Sequence, residues 1–192
     1  MSKTAYKPIG PEPPPPQTFS FSLHVLFGSV LLSGIGSMMH FAYVWTGCQD
    51  WAAVPFAVNE SVYEHAKIML FPILLWWCVL FPLLFCDAWL EYWRAGTAAM
   101  YCADGVLLLG NTLVVGLGFE TLAVDITLFV VSIICGQVVG HLAAGWQIHW
   151  CVFAPFLLFA VVVLCVGTYF PMHTPLFEDL RNHTYGRPVH CG

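Results

Sequence analysis

Five long apolar runs, at roughly 21–45, 62–90, 95–118, 120–143 and 148–171, dominate this 192-residue chain. A helix needs about 20 mostly apolar residues to cross a bilayer. Within the hydrocarbon only helices and closed barrels satisfy their own backbone groups. The breaks between the runs are polar or aromatic. Cys48 to Ser61 is mixed, Glu91-Tyr92-Trp93-Arg94 is charged, and Gly116 to Glu120 is a glycine-containing turn. Gly145-Trp146-Gln147-Ile148-His149 is a short hairpin, and Pro171 ends the last run. Trp45, Trp51, Trp89, Trp93, Trp146 and Trp150 fall at these breaks, as an interfacial aromatic belt requires. The pattern predicts an all-α polytopic membrane helix bundle of about five transmembrane helices over 21–171. A disordered Pro-rich tail (1–20) precedes it, and a C-terminal tail (172–192) folds over one membrane face.

Charge agrees. Only 9% of the residues are charged, against about 25% in a soluble protein, which leaves no room for a separate soluble domain. Six Lys and Arg within a formal net charge of −5 form no basic stripe, so nucleic acid is excluded as a partner. The first run is too long for a signal-peptide core and reads as an uncleaved span. Lys3, Lys7 and Arg94 against Lys67, Arg181 and Arg187 tilt the N-terminus toward the cytoplasm by the positive-inside rule. Cys78, Cys86, Cys102, Cys135, Cys151 and Cys165 sit in apolar runs without C-x-x-C spacing and read as packing residues. Cys48 and Cys191 lie outside the runs, on one side. Gly136 and Gly140 form a G-x-x-x-G, and Gly28, Gly34 and Gly36 line the first run. Both sets suit close helix packing within the bundle.

With five spans, the loop after span 1, the turn between spans 3 and 4, and the C-terminal tail share one side. That side collects His40, Glu60, Glu64, His65, Lys67, Asp125, His173 and Asp179. Ionisable groups at membrane depth are costly and mark a site. Glu64 and His65 are the candidate catalytic pair, either one serving as general base. Glu60, Lys67 and Asp179 are candidate substrate-binding residues. His40, His65, Asp125 and His173 are candidate metal ligands, since imidazole with carboxylate is the donor set of catalytic zinc. As helical positions, Glu60, Glu64 and Lys67 share a face, with His65 rotated from it. A structural account competes: Ser61-Val62-Tyr63-Glu64 fits a capping box, and Glu64 with Lys67 fits an ion pair. Asp104 and Asn111 in span 3 suit a proton or ion path instead. On the other side, Asp87, Glu91 and Arg94 fit an interfacial ion network, and His141 and His149 could face each other across a turn. Asn59 and Asn182 each open an N-x-S/T sequon.

These residues also carry a resemblance. Met39-His40-Phe41-Ala42-Tyr43, Ala57 to Lys67, Phe71-Pro72, Val124-Asp125-Ile126, Gly136-Gln137, Tyr169 to Asp179 and Thr184-Tyr185-Gly186 resemble an uncharacterised family of small multi-pass membrane proteins, over about 30–187. That family has Trp where Tyr63 stands and a second proline where Met172 stands. The resemblance implies the fold and the site, with no reaction attached. Asn59 to His65 is also similar to the first-helix motif of the seven-helix hydrolases that include alkaline ceramidases and adiponectin receptors. Their late H-x-x-x-H is absent here. The resulting expectation is a membrane hydrolase or transferase with a zinc site, acting on a lipid or small amphiphile. The alternatives are a non-catalytic subunit of a larger membrane complex and a small transporter.

Overall fold

The computed structural model describes residues 21–85, 91–119, 121–146, 148–179 and 183–185. The N-terminal tail, Asp87, Glu120, Asn182 and Cys191 lie outside them, as do the expectations that rest on those residues.

The described chain is helical, with one isolated bridge between Glu178 and Tyr185. The helices are α1 (Phe21–Trp45), α2 (Val62–Leu75), α3 (Phe81–Phe85), α4 (Glu91–Leu117), α5 (Leu122–Ala144) and α6 (Ala154–Tyr169). A π-helical turn, Trp76–Leu80, joins α2 to α3, so these run on as one rod. Pro72 lies one turn before it. Proline cannot donate to the carbonyl four residues back, and an extra residue per turn is one way a helix absorbs such a break. Four segments are long and apolar enough to cross a membrane: Val25–Trp45, Val62–Leu83, Tyr92–Leu117 and Leu122–Ala144. The fifth expected span is shorter than the sequence suggested. α6 has 16 residues, about 24 Å of helix. It begins beside Tyr101, whose hydroxyl donates to the Phe156 carbonyl at 2.8 Å. Phe153, Pro155 and the preceding 3-10 turn (Trp150–Val152) delay its start.

Small residues set the closest approaches. A Cβ on Gly136 would meet the Ala99 carbonyl at 2.8 Å, and one on Gly140 would meet the Trp77 ring at 2.7 Å. The G-x-x-x-G thus packs α5 on α4 inside the bundle. On α1, Gly28 abuts Gln137 and Gly36 abuts Phe129. Gly34 has open space around it and makes no close approach, contrary to expectation. The core is built on α2 and the π-helical turn after it, where Ile68, Met69, Leu70 and Ile73, then Trp76 and Trp77, are all buried.

The ion network expected of Arg94 with Asp87 and Glu91 lies outside the described residues, but Arg94 also reaches α5. It is buried, and its guanidinium donates to the carbonyls of Ala143 (3.2 Å), Ala144 (2.8 Å) and Ile148 (3.0 Å). The last carbonyls of a helix lack internal donors and carry the negative end of its dipole. Arg94 therefore caps α5.

Candidate functional site

The loop before α2 sets the geometry. The Asn59 side-chain oxygen accepts from the Ser61 amide at 3.0 Å, and the Ser61 hydroxyl accepts from the Glu64 amide at 3.3 Å. Ser61 is thus an N-cap in extended conformation, and helix begins at Val62. This corrects the expected face shared by Glu60, Glu64 and Lys67. Glu60 lies before the cap, so helical spacing does not govern where it points.

Glu64 and Lys67 turn toward the loop. Both are buried, with Lys67 fully inaccessible. Lys67 Nζ lies 2.5 Å from Glu64 Oε2 and donates to the Ala53 carbonyl at 2.6 Å. The Glu64 carboxylate also accepts from the Val58 amide at 2.9 Å. Only half of the expected capping box forms, because the Glu64 side chain reaches Val58 rather than Ser61. The pair stitches the loop to α2, and neither residue lines the cavity described next. These contacts are the ion pair that the structural reading of Glu64 and Lys67 expects.

Glu60 joins His40 and His65. One donor atom from each of the three lies within 4.8 Å of the others. His40 Nε2 is 3.3 Å from Glu60 Oε2, and the His40 and His65 ring centroids are 5.3 Å apart. His65 Nδ1 sits 2.8 Å from the Ser61 carbonyl. A carbonyl only accepts, so Nδ1 carries the proton and Nε2 keeps its lone pair. A hydrogen bond of this kind behind a metal-binding histidine fixes its tautomer and orientation. A tetrahedral ion with arms of about 2.0 Å has ligand atoms about 3.3 Å apart, which matches the His40–Glu60 separation. No helical motif announces this triad, because its members come from α1, a loop and α2.

The three side chains form part of the wall of a cavity of about 780 Å³ between α1, α2, the end of α4 and the start of α5. Asn111, Thr121 and Asp125 add polar groups from α4, its following turn and α5, while Ile68, Leu107 and Phe129 line it with apolar surface. Asp125 is thus in the same cavity as the triad without belonging to it. The other expected site residues lie elsewhere. His173 is exposed, its ring 4.9 Å from that of Tyr185. Asp179 is buried. Its amide donates to the Thr184 carbonyl and its carbonyl accepts from the His183 amide, both at 2.8 Å. It shapes the tail. Asp104 does not line the cavity.

Phe177, in the segment after α6, stacks on Tyr63 with centroids 4.4 Å apart. Tyr63 also donates its hydroxyl to the Leu164 carbonyl. One side chain therefore ties α2, α6 and the tail together. Residues 19–187 match a family of unknown function, DUF6512. No curated protein and no solved structure matches the chain.

Proposed function

Because the chain belongs to DUF6512, a family of unknown function covering residues 19–187, the reading has to come from the site, and we propose that this integral membrane protein is a metal-dependent hydrolase or transferase acting on a lipid or small amphiphile. The observation that carries the proposal is the convergence of His40, Glu60 and His65 at the wall of a cavity of about 780 Å³. Two neutral imidazoles and one carboxylate are a catalytic zinc donor set, and such sites keep a fourth position for water or substrate. Bound there, zinc would supply a Lewis acid and lower the pKa of its water. His40, Glu60 and His65 would hold the ion, and the Ser61 carbonyl would hold His65 in register. Asp125, across the same cavity, is the candidate general base in place of Glu64.

A transport reading has less support. Along the cavity wall a Cβ on Gly36 would meet the Phe129 ring at 2.7 Å and the Ile68 carbonyl at 3.2 Å, so α1, α2 and α5 are closely packed there. Cys48, which is disulfide-bonded, supports one orientation. Disulfides persist in oxidising compartments. That favours an extracytoplasmic cavity and a cytoplasmic N-terminus.

Cobalt titration of the purified protein tests the site. Co²⁺ should give visible absorption bands of a tetrahedral ion that saturate at one equivalent. Glu60→Gln should weaken binding at least tenfold. Octahedral, unsaturable binding unchanged in that variant would overturn the proposal.

A further inference from the structure

The seam between α1 and α5 holds polar groups that the candidate metal site does not use. Gly28 lies beside Gln137 and Gly36 beside Phe129, so the two helices run antiparallel. Gln137 is 0% exposed. It stands 15 residues after the start of α5 and 7 before its end, about 22 Å and 10 Å from the two ends. Neither end of its amide, Oε1 or Nε2, has a hydrogen-bond partner among the described residues. On α1, Ser29 follows Gly28 and is buried, and Ser33 stands one turn further on. Both hydroxyls are inaccessible and likewise without a partner among the described residues. None of these three residues lines the cavity.

The two serines differ from the other hydroxyls of the bundle. A helical Ser or Thr that points away from water can donate to the carbonyl four residues back. Ser37, Thr97, Thr112, Thr127, Ser132 and Thr168 all do so. Ser29 and Ser33 do not, which leaves their protons for another acceptor. The Gln137 amide adds two donors and two acceptor lone pairs. Helix carbonyls are taken by their own ladders, and lipid offers no partner. A buried amide left bare is costly. Gly28 gives this amide its room, since a Cβ there would meet Gln137 Oε1 at 2.8 Å and the Trp76 indole nitrogen at 3.5 Å.

The chemistry of the node selects its ligand. Gln137, Ser29 and Ser33 are uncharged, so an ion would give up its hydration there without a countercharge from them. An apolar molecule would leave the amide unpaired. Amide and hydroxyls together present donors and acceptors, the set that water matches, and an internal water makes about three hydrogen bonds. We propose that the α1–α5 seam binds internal water at Gln137, with at least one molecule shared between the amide and the hydroxyl of Ser29 or Ser33. A bridging water is nearly as good a contact as a direct hydrogen bond. It joins α1, the helix that carries His40, to α5. The site is independent of the metal and of any substrate.

Water-edited solid-state NMR of the full chain in lipid bilayers tests the proposal, with isotope label in the glutamine side-chain and isoleucine backbone nitrogens. Gln137→Met identifies the signal by removing it. Magnetisation should pass from water to Gln137 Nε2 at least fivefold faster than to the backbone nitrogen of Ile133, which is 1% exposed one turn earlier on α5. The double variant Ser29→Ala/Ser33→Ala should slow that transfer several-fold, and Ser29→Ala alone gives the same test if the double variant fails to fold. Transfer to Gln137 as slow as to Ile133 overturns the proposal. Transfer unchanged in the serine variants overturns the shared node. A Gln137 signal that shifts when sodium is exchanged for potassium would put an ion there instead, and overturns it too.

Discussion

Replacing Lys67 with methionine keeps most of the side-chain volume and removes the charge. Glu64 is then left as a carboxylate of 3% exposure without its cation, and the Ala53 carbonyl loses its donor. Removing one partner of a buried ion pair costs about 3–5 kcal/mol. For a chain of this size about 1 kcal/mol moves the midpoint by 2–4 °C, so Lys67→Met should lower the melting temperature by roughly 6–20 °C. Thermal unfolding in mild detergent, followed by circular dichroism, reads this directly. The double variant Glu64→Gln/Lys67→Met removes both charges and keeps an acceptor for the Val58 amide. It should regain more than half of the loss, because the cost lies in the uncompensated charge. Metal binding should be unchanged in both. A single variant within about 1 kcal/mol of wild type, or a double variant worse than the single, would refute the stitching role. Loss of metal with intact stability would restore Lys67 and Glu64 to the site.

Three further outcomes are expected. Tyr63→Phe removes the bond to the Leu164 carbonyl and keeps the stack on Phe177, so stability should fall by about 0.5–1.5 kcal/mol, with faster amide exchange in α6 than in α4. Arg94→Met uncaps two carbonyls at the end of α5 and releases that of Ile148; it should cost about 1–3 kcal/mol and raise exchange confined to the turn after Ala144 and its neighbours. Cys48 should resist a membrane-impermeant maleimide on intact cells until a reductant is added, and then react, which would place its loop outside.

Much of the bundle was legible because hydropathy and breaks are averaged over many residues. The runs ending at Trp45 and beginning at Val62 lie where the helices do. α6 was misjudged because apolar composition cannot distinguish helix from the 3-10 turn and proline-bearing start at Trp150 to Pro155. The site was legible as a side of the membrane and not as a constellation. Parity placed His40, His65 and Asp125 together, and all three line one cavity. Parity also placed His173 and Glu64 there, and the fold separates them. Glu60 was assigned to the wrong neighbours, since a helical wheel assumed that helix began before Ser61. The Asn59 and Ser61 side chains, both good turn and cap formers, were the signal that could have ended the wheel at Val62. Arg94 was beyond reach, because its carbonyl partners lie about fifty residues away and carbonyls leave no mark in a sequence.

The central claim is that His40, Glu60 and His65 hold one metal ion. Elemental analysis of detergent-purified wild type beside a His40→Ala/His65→Ala variant tests it most directly, with circular dichroism confirming that both are folded. The account expects about one zinc or other first-row divalent ion per chain in the wild type after zinc is supplied and excess removed, and almost none in the folded variant. Equal metal in both proteins, or none in the wild type, would contradict it.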